Sequence, residues 1–163
     1  MTILEQLRAG VTTASAAETQ ALAAELAAGL PADTTLALHG NLGVGKTTFV
    51  QGLARGFGLT EPVTSPTFNI YTVHRAPGRE RQKSHGGANP GEAGPASRTL
   101  VHLDAYRLES AREIEDLLLE DFLVSPWCLA VEWPDKIAAW LPAGALHLEL
   151  GIAPDERHTL RLR

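Results

Sequence analysis

Gly40-Asn41-Leu42-Gly43-Val44-Gly45-Lys46-Thr47 is the stretch whose reading decides the fold. It fits G-x-x-x-x-G-K-[ST], the phosphate-binding P-loop. Before it, Thr34-Thr35-Leu36-Ala37-Leu38-His39 has the β-branched and apolar make-up of a buried strand. After it, the run from Thr48 to Arg55 reads as a helix ending near Gly56 and Gly58. Strand, glycine loop and helix in that order are the context the motif needs. Glycines at 40, 43 and 45 let the backbone turn sharply and gather its N–H groups into a concave nest. That nest and the helix N-terminus behind it attract polyphosphate. Lys46 is a point charge for β- and γ-phosphates, and the Thr47 hydroxyl can ligate Mg²⁺. The competing reading is a glycine-rich turn with an incidental lysine; the strand and helix on either side argue against it.

Working outward, two further apolar runs end in a carboxylate: Thr99-Leu100-Val101-His102-Leu103-Asp104 and Trp127-Cys128-Leu129-Ala130-Val131-Glu132. A buried strand of this kind carries an acid to the sheet edge beside the phosphates. Either acid alone could be an ordinary surface residue. Two of them, in a chain that already has a P-loop, point to a shared Mg²⁺ site. Thr64-Ser65-Pro66-Thr67-Phe68 leads into a strand over Phe68–His74. It reads either as a plain turn or as a switch loop whose hydroxyls sense a γ-phosphate and metal.

The rest of the chain supports one domain over its 163 residues. Hydrophobic residues make up 44% and charged residues 20%, the composition of an ordinary soluble globular protein. A net charge of −5 disfavours broad nucleic-acid binding. Cys128 is the one cysteine, so no intrachain disulfide forms and a reducing cytoplasm is expected. No apolar run approaches the roughly 18 residues of a membrane span, so no membrane role is expected. Gly10 to Thr13 suggests a short edge strand in an otherwise weakly patterned start. Ser15-Ala16-Ala17-Glu18 reads as a capping box opening a helix to about Leu30, and Ser110-Ala111-Arg112-Glu113 as a second, opening a helix through about Leu119. Pro134–Leu141 suggests a short helix, and Leu146–Ile152 with His158–Arg163 an antiparallel pair. Residues 75–98 carry no aromatic and no β-branched side chain. Such a segment cannot offset its ordering entropy by burial, so a disordered loop insertion joining two strands is expected, its arginines solvated.

The motifs Gly40–Thr48, Ser65-Pro66-Thr67-Phe68, His102-Leu103-Asp104-Ala105-Tyr106-Arg107 and Glu132-Trp133-Pro134, in this order, resemble the TsaE (YjeE) family. That is the bacterial ATPase component of tRNA N6-threonylcarbamoyladenosine (t6A) biosynthesis. The resemblance implies that Gly43, Val44, Gly45, Lys46, Thr47 and Thr48 bind ATP phosphates. It implies that Thr47 and Glu132 hold Mg²⁺, and that Asp104 supports the metal or orients the attacking water. Ser65 and Thr67 would belong to a first switch, Glu132 and Trp133 to a second, with Trp133 packing near the nucleotide. Thr19 would lie on the adenine side. The chain departs from the family's pattern in the length of 75–98 and at Leu118, where such sequences often carry glycine.

The expected fold is α/β: a single P-loop NTPase-like domain with a mixed sheet, a parallel centre, antiparallel hairpins and helices on both faces. The expected function, by resemblance, is slow Mg²⁺-dependent ATP hydrolysis supporting TsaD and TsaB in modifying tRNA adenosine 37, with tRNA met only through that complex. Asp104, Lys46 and Glu132 would carry the chemistry. The rival is a P-loop small-molecule kinase, which needs an Arg-bearing lid; residues 75–98 contain Arg75, Arg79, Arg81 and Arg98 but lack the apolar anchors of a folded lid. A GTPase is disfavoured, because none of Asn41, Asn69 and Asn89 begins Asn-Lys-x-Asp. A nucleotide-gated adaptor without catalysis shades into the first reading.

Overall fold

A computed structural model describes residues 1–65, 70–75 and 98–163. In chain order the elements are α1 (Ile3–Ala9), β1 (Val11–Thr13), α2 (Ala16–Gly29), β2 (Thr34–His39), α3 (Lys46–Gly56), β3 (Tyr71–His74), β4 (Thr99–Asp104), α4 (Ala111–Glu115), β5 (Trp127–Glu132), β6 (Leu146–Ile152) and β7 (His158–Leu162). The seven strands form one sheet in the order β1-β7-β6-β2-β5-β4-β3. Its centre, β6-β2-β5-β4, is parallel. Antiparallel pairs flank it, β3 on β4 at one edge and β6-β7-β1 at the other. This is the mixed sheet expected from the sequence.

Central strands buried on both faces need apolar residues at every position, and β2 and β4 are buried at all but their last. Alternation then sorts the side chains. Leu36, Leu38, Leu100, Cys128 and Ala130 face a core closed by α1, α2 and α3. Val101, Leu103, Leu129 and Val131 face a second core closed by α4 and the short 3₁₀ segment Pro134–Ile137. Helical cover on both faces follows. The lone cysteine belongs to the first core, and burial pushes the Cys128 thiol up to about 12.

The helix carrying the P-loop is held by unusually close packing. A Cβ on Gly52 would stand 2.4 Å from the Gln20 carbonyl oxygen, and one on Gly56 2.6 Å from the Ala27 Cβ. These two glycines let α3 lie directly against α2, so Gly56 serves this crossing as well as closing the helix. Phe49 and Phe57 are wholly buried beneath. Burying a phenylalanine contributes about 1.5–3 kcal/mol.

The short helix expected over Pro134–Leu141 is a 3₁₀ segment over Pro134–Ile137, and four further details differ from the sequence reading. The first is α1, which the opening residues had not suggested; Thr2 and Glu5 form a complete capping box for it. The second concerns the two expected capping boxes. Ser15 does accept from the Glu18 N–H, but the Glu18 carboxylate takes the Ala14 N–H, one residue early. Ser110 makes no side-chain cap, and Glu113 accepts from Glu109. The third is α4, which stops at Glu115 rather than Leu119, because Leu118 takes a left-handed backbone with φ 52° that breaks the helix. That is the position where a glycine would carry no strain.

The fourth is Arg98, counted above in the solvated segment 75–98. It is buried, its guanidinium donates to the carbonyls of Leu30 and Pro31, and it lies 5.3 Å from the Phe57 ring. Carbonyls at the end of α2 lack helical partners, and a long planar cation from the residue that leads into β4 satisfies them. Local composition could not reveal a partner supplied sixty-seven residues earlier. Residues 76–97, the body of the expected insertion, lie outside the described residues.

Candidate phosphate and acid site

Parallel strands deliver their carboxyl ends to one edge of the sheet, where open α/β sheets bind ligands. β2 ends at His39 and runs straight into Gly40, while β4 and β5 end in register at Asp104 and Glu132. Three stretches distant in sequence thus meet at one edge.

The P-loop backbone takes the form the motif predicts. Gly40 sits where a Cβ would come within 2.6 Å of the Leu150 carbonyl oxygen of β6, and Gly45 caps α3 with a left-handed φ of 98°. Neither position tolerates a side chain without displacement or strain. The start of α3 contrasts with those of α1 and α2. Their first turns have side-chain caps from Thr2 and Ser15; α3 has none, and its first turn contains no acid. An uncapped helix N-terminus with a lysine in its first turn is built for an anion. Thr47 and Thr48 are half-buried in that turn.

Lys46 is 5% exposed. Its Nζ donates to the Gly40 carbonyl at 2.6 Å and lies 3.8 Å from the centroid of the Trp133 ring. Burial lowers its pKa from the usual lysine range, while the charges of Glu132 and Asp104 pull it back up. The lysine therefore feels both acids, as a shared site requires. Trp133 holds a left-handed backbone with φ 56°, costly for a bulky residue. It packs at 5.1 Å against Tyr106 from the β4 side. The ring thus bridges the lysine and the stretch that follows Asp104.

The two acids differ in surroundings. Glu132 is buried, and its Oε2 accepts from His102 Nε2 at 2.6 Å. His102 is 0% exposed, and its Nδ1 has no partner among the described residues. Asp104 is half-buried, and its Oδ1 accepts from the Tyr106 N–H at 2.9 Å. Among the described residues, no group of three or more His, Cys, Asp or Glu could hold a metal by itself. Magnesium does not need one: it takes one or two protein oxygens and completes its shell with water and phosphate. A buried carboxylate beside a threonine-bearing, lysine-bearing nest suits that requirement.

Thr19 is buried, with its Oγ1 2.6 Å from Thr13 Oγ1, a joint between α2 and β1. Ser65 is exposed on the loop after Val63, and Gln51 of α3 donates to the Val63 carbonyl at 2.9 Å. Thr67 lies outside the described residues. Arg98, buried under α2, is not available to a lid. Sequence reasoning passed over His102, which it quoted only as part of a motif. The signal was present: in a strand, His102 and Asp104 share a face, and Glu132 stands in register with Asp104.

The sequence profile of the family described as "Threonylcarbamoyl adenosine biosynthesis protein TsaE" matches residues 13–160. The tRNA threonylcarbamoyladenosine biosynthesis protein TsaE of Bacillus subtilis is 34% identical over 148 residues, covering 91% of this chain and 80% of that protein. The protein of the same name from Streptomyces coelicolor is 38% identical over 130 residues, covering 79% and 76%. Among solved structures, Bacillus subtilis YdiB superposes with a TM-score of 0.66 at 30% identity, covering 94% of this chain and 82% of that one.

Proposed function

The chain belongs to the TsaE family, and from that premise we propose that it is a slow ATPase acting in the cytoplasm with TsaD and TsaB in the threonylcarbamoyl modification of tRNA adenosine. The observation that carries the ATPase reading is the meeting of an uncapped, lysine-bearing helix N-terminus with two strand-end acids whose charges reach that lysine.

Each residue has a task in this reading. The N–H groups from Gly43 to Thr48, with Lys46, bind the β- and γ-phosphates of ATP, the substrate. Thr47 and Glu132 would hold Mg²⁺, which would supply positive charge to stabilise the phosphates. Lys46 exchanges its bond to the Gly40 carbonyl for the phosphates, which frees the Trp133 ring from its cation. His102 keeps one oxygen of Glu132 fixed. Asp104 orients the attacking water. Its oxygen bonds to the γ-phosphorus, the bond from that phosphorus to the ADP oxygen breaks, and the released proton goes to the carboxylate edge. Hydrolysis would reset the TsaD–TsaB pair between turnovers rather than drive the transfer itself.

The test is phosphate release from ATP and Mg²⁺ by the purified protein, alone and with TsaD–TsaB, beside a screen for phosphate transfer to small metabolites. Release of phosphate to water, and tRNA modification that requires it, is the expected result. Transfer to a metabolite would mark a kinase instead.

A further inference from the structure

We propose that His158 is a positioning residue for the phosphate nest: its imidazole locks the Val44–Gly45 peptide so that the Gly45 N–H points at the anion. The inference rests on the reading of this loop as the ATP phosphate site.

The geometry is specific. His158 opens β7, far along the chain, and its Nδ1 lies 2.9 Å from the Val44 carbonyl oxygen. An imidazole N–H donates there, so Nδ1 carries the proton. In a trans peptide unit the C=O and the following N–H point to opposite sides. A carbonyl of Val44 held toward β7 therefore turns the Gly45 N–H the other way. The same ring also covers the outer side of Gly45. Its Nδ1 and Cε1 lie 3.6 and 3.8 Å from where a Cβ on that residue would be.

The lock has something to prevent. Gly45 has φ +98°, and glycine takes either sign of φ at little cost. A flip of the Val44–Gly45 unit would turn a carbonyl oxygen toward the phosphates and remove a donor. The imidazole is itself firmly placed. His158 pairs with Ile152 of β6 on one side and Thr13 of β1 on the other, so the sheet sets the direction of its side chain. It shares a face with Leu160 and Leu162, whose side chains line the core closed by α1, α2 and α3. A histidine that merely filled space would need neither the carbonyl bond nor the contact with Gly45.

The experiment compares His158→Leu, which removes the donor, with His158→Asn, whose amide nitrogen stands where Nδ1 stood. The full chain is titrated with ADP and with inorganic pyrophosphate by calorimetry, and ATPase kinetics and melting temperature are measured alongside. One hydrogen bond to an ordered carbonyl predicts that His158→Leu weakens both ligands by about tenfold. KM for ATP should rise by a similar factor while kcat stays within about twofold of the parent, because Lys46, Asp104 and Glu132 are untouched. His158→Asn should recover most of the affinity. A folded His158→Leu protein that binds ADP and pyrophosphate like the parent overturns the proposal. So does a His158→Asn protein as weak as His158→Leu. A parent protein that binds neither ligand overturns the P-loop reading itself, and this inference with it.

Discussion

The phosphate nest and the acid edge face the same point, yet they are made of different material. The nest, residues 40 to 48, works through main-chain N–H groups, and its glycines matter for what they lack. The edge works through the carboxylates of Asp104 and Glu132, which matter only because two strands end in register. A backbone site tolerates no change in local conformation and is indifferent to most side chains. A side-chain site tolerates local change but depends on the alignment of the sheet. Binding should therefore belong to the nest and chemistry to the edge, and Lys46, which feels both, joins them.

The largest expected effect falls on the nest. Lys46→Ala should reduce ATP affinity by more than ~100-fold, beyond calorimetric reach, because a buried ammonium is the nest's one full positive charge. Its melting temperature should stay within ~3 °C of the parent, since the ammonium sits against Trp133 and a carbonyl rather than in either apolar core. Near-normal binding would remove the nest from the mechanism.

Next come the acids. Glu132→Gln and Asp104→Asn should still bind ATP while hydrolysis falls by ~100-fold, the larger loss at buried Glu132. If both hydrolyse at the parent rate, the division of labour between nest and edge is wrong. A smaller effect is expected one layer back. His102→Ala should lower kcat by ~10-fold with little change in KM, and His102→Gln, which keeps a donor near the Nε2 position, should restore much of it. Equal loss in the two variants would show that His102 only fills the core.

The smallest effect reports on the joint itself. Burial already lowers the pKa of Lys46, and Glu132 and Asp104 act against that. In the ligand-free protein, Lys46 should thus lose its proton at lower pH than an ordinary lysine. Glu132→Gln deletes a charge that favours the ammonium, so the titration should move lower still. The NMR shift of the Lys46 Cε against pH measures both. An upward move would mean that the acid does not reach the lysine.

Much of this was legible beforehand, and for a consistent reason. The P-loop was readable because its conformation is dictated by residues adjacent in sequence. The strands β2, β4 and β5 were readable because burial on both faces demands continuous apolar runs. The turn at Leu118 was not legible: the helix was expected through about Leu119, and it stops at Glu115 before a leucine with a left-handed backbone. The capping box of α1 was present in Thr2 and Glu5 and went unread, since too few apolar residues follow it to mark a helix. Arg98 misled because its composition matched the segment before it, whereas its partners lie at the end of α2.

By itself, then, the sequence determined the nest, the strands and the identity of the acids that end them. Each is set by local sterics or by burial, and both leave marks on neighbouring residues. Only the tertiary structure decided which groups meet: His102 on Glu132, His158 on Val44, Trp133 over Lys46 and Arg98 under α2. These contacts join residues far apart along the chain. Their geometry follows from sheet order and strand register, which no single stretch encodes.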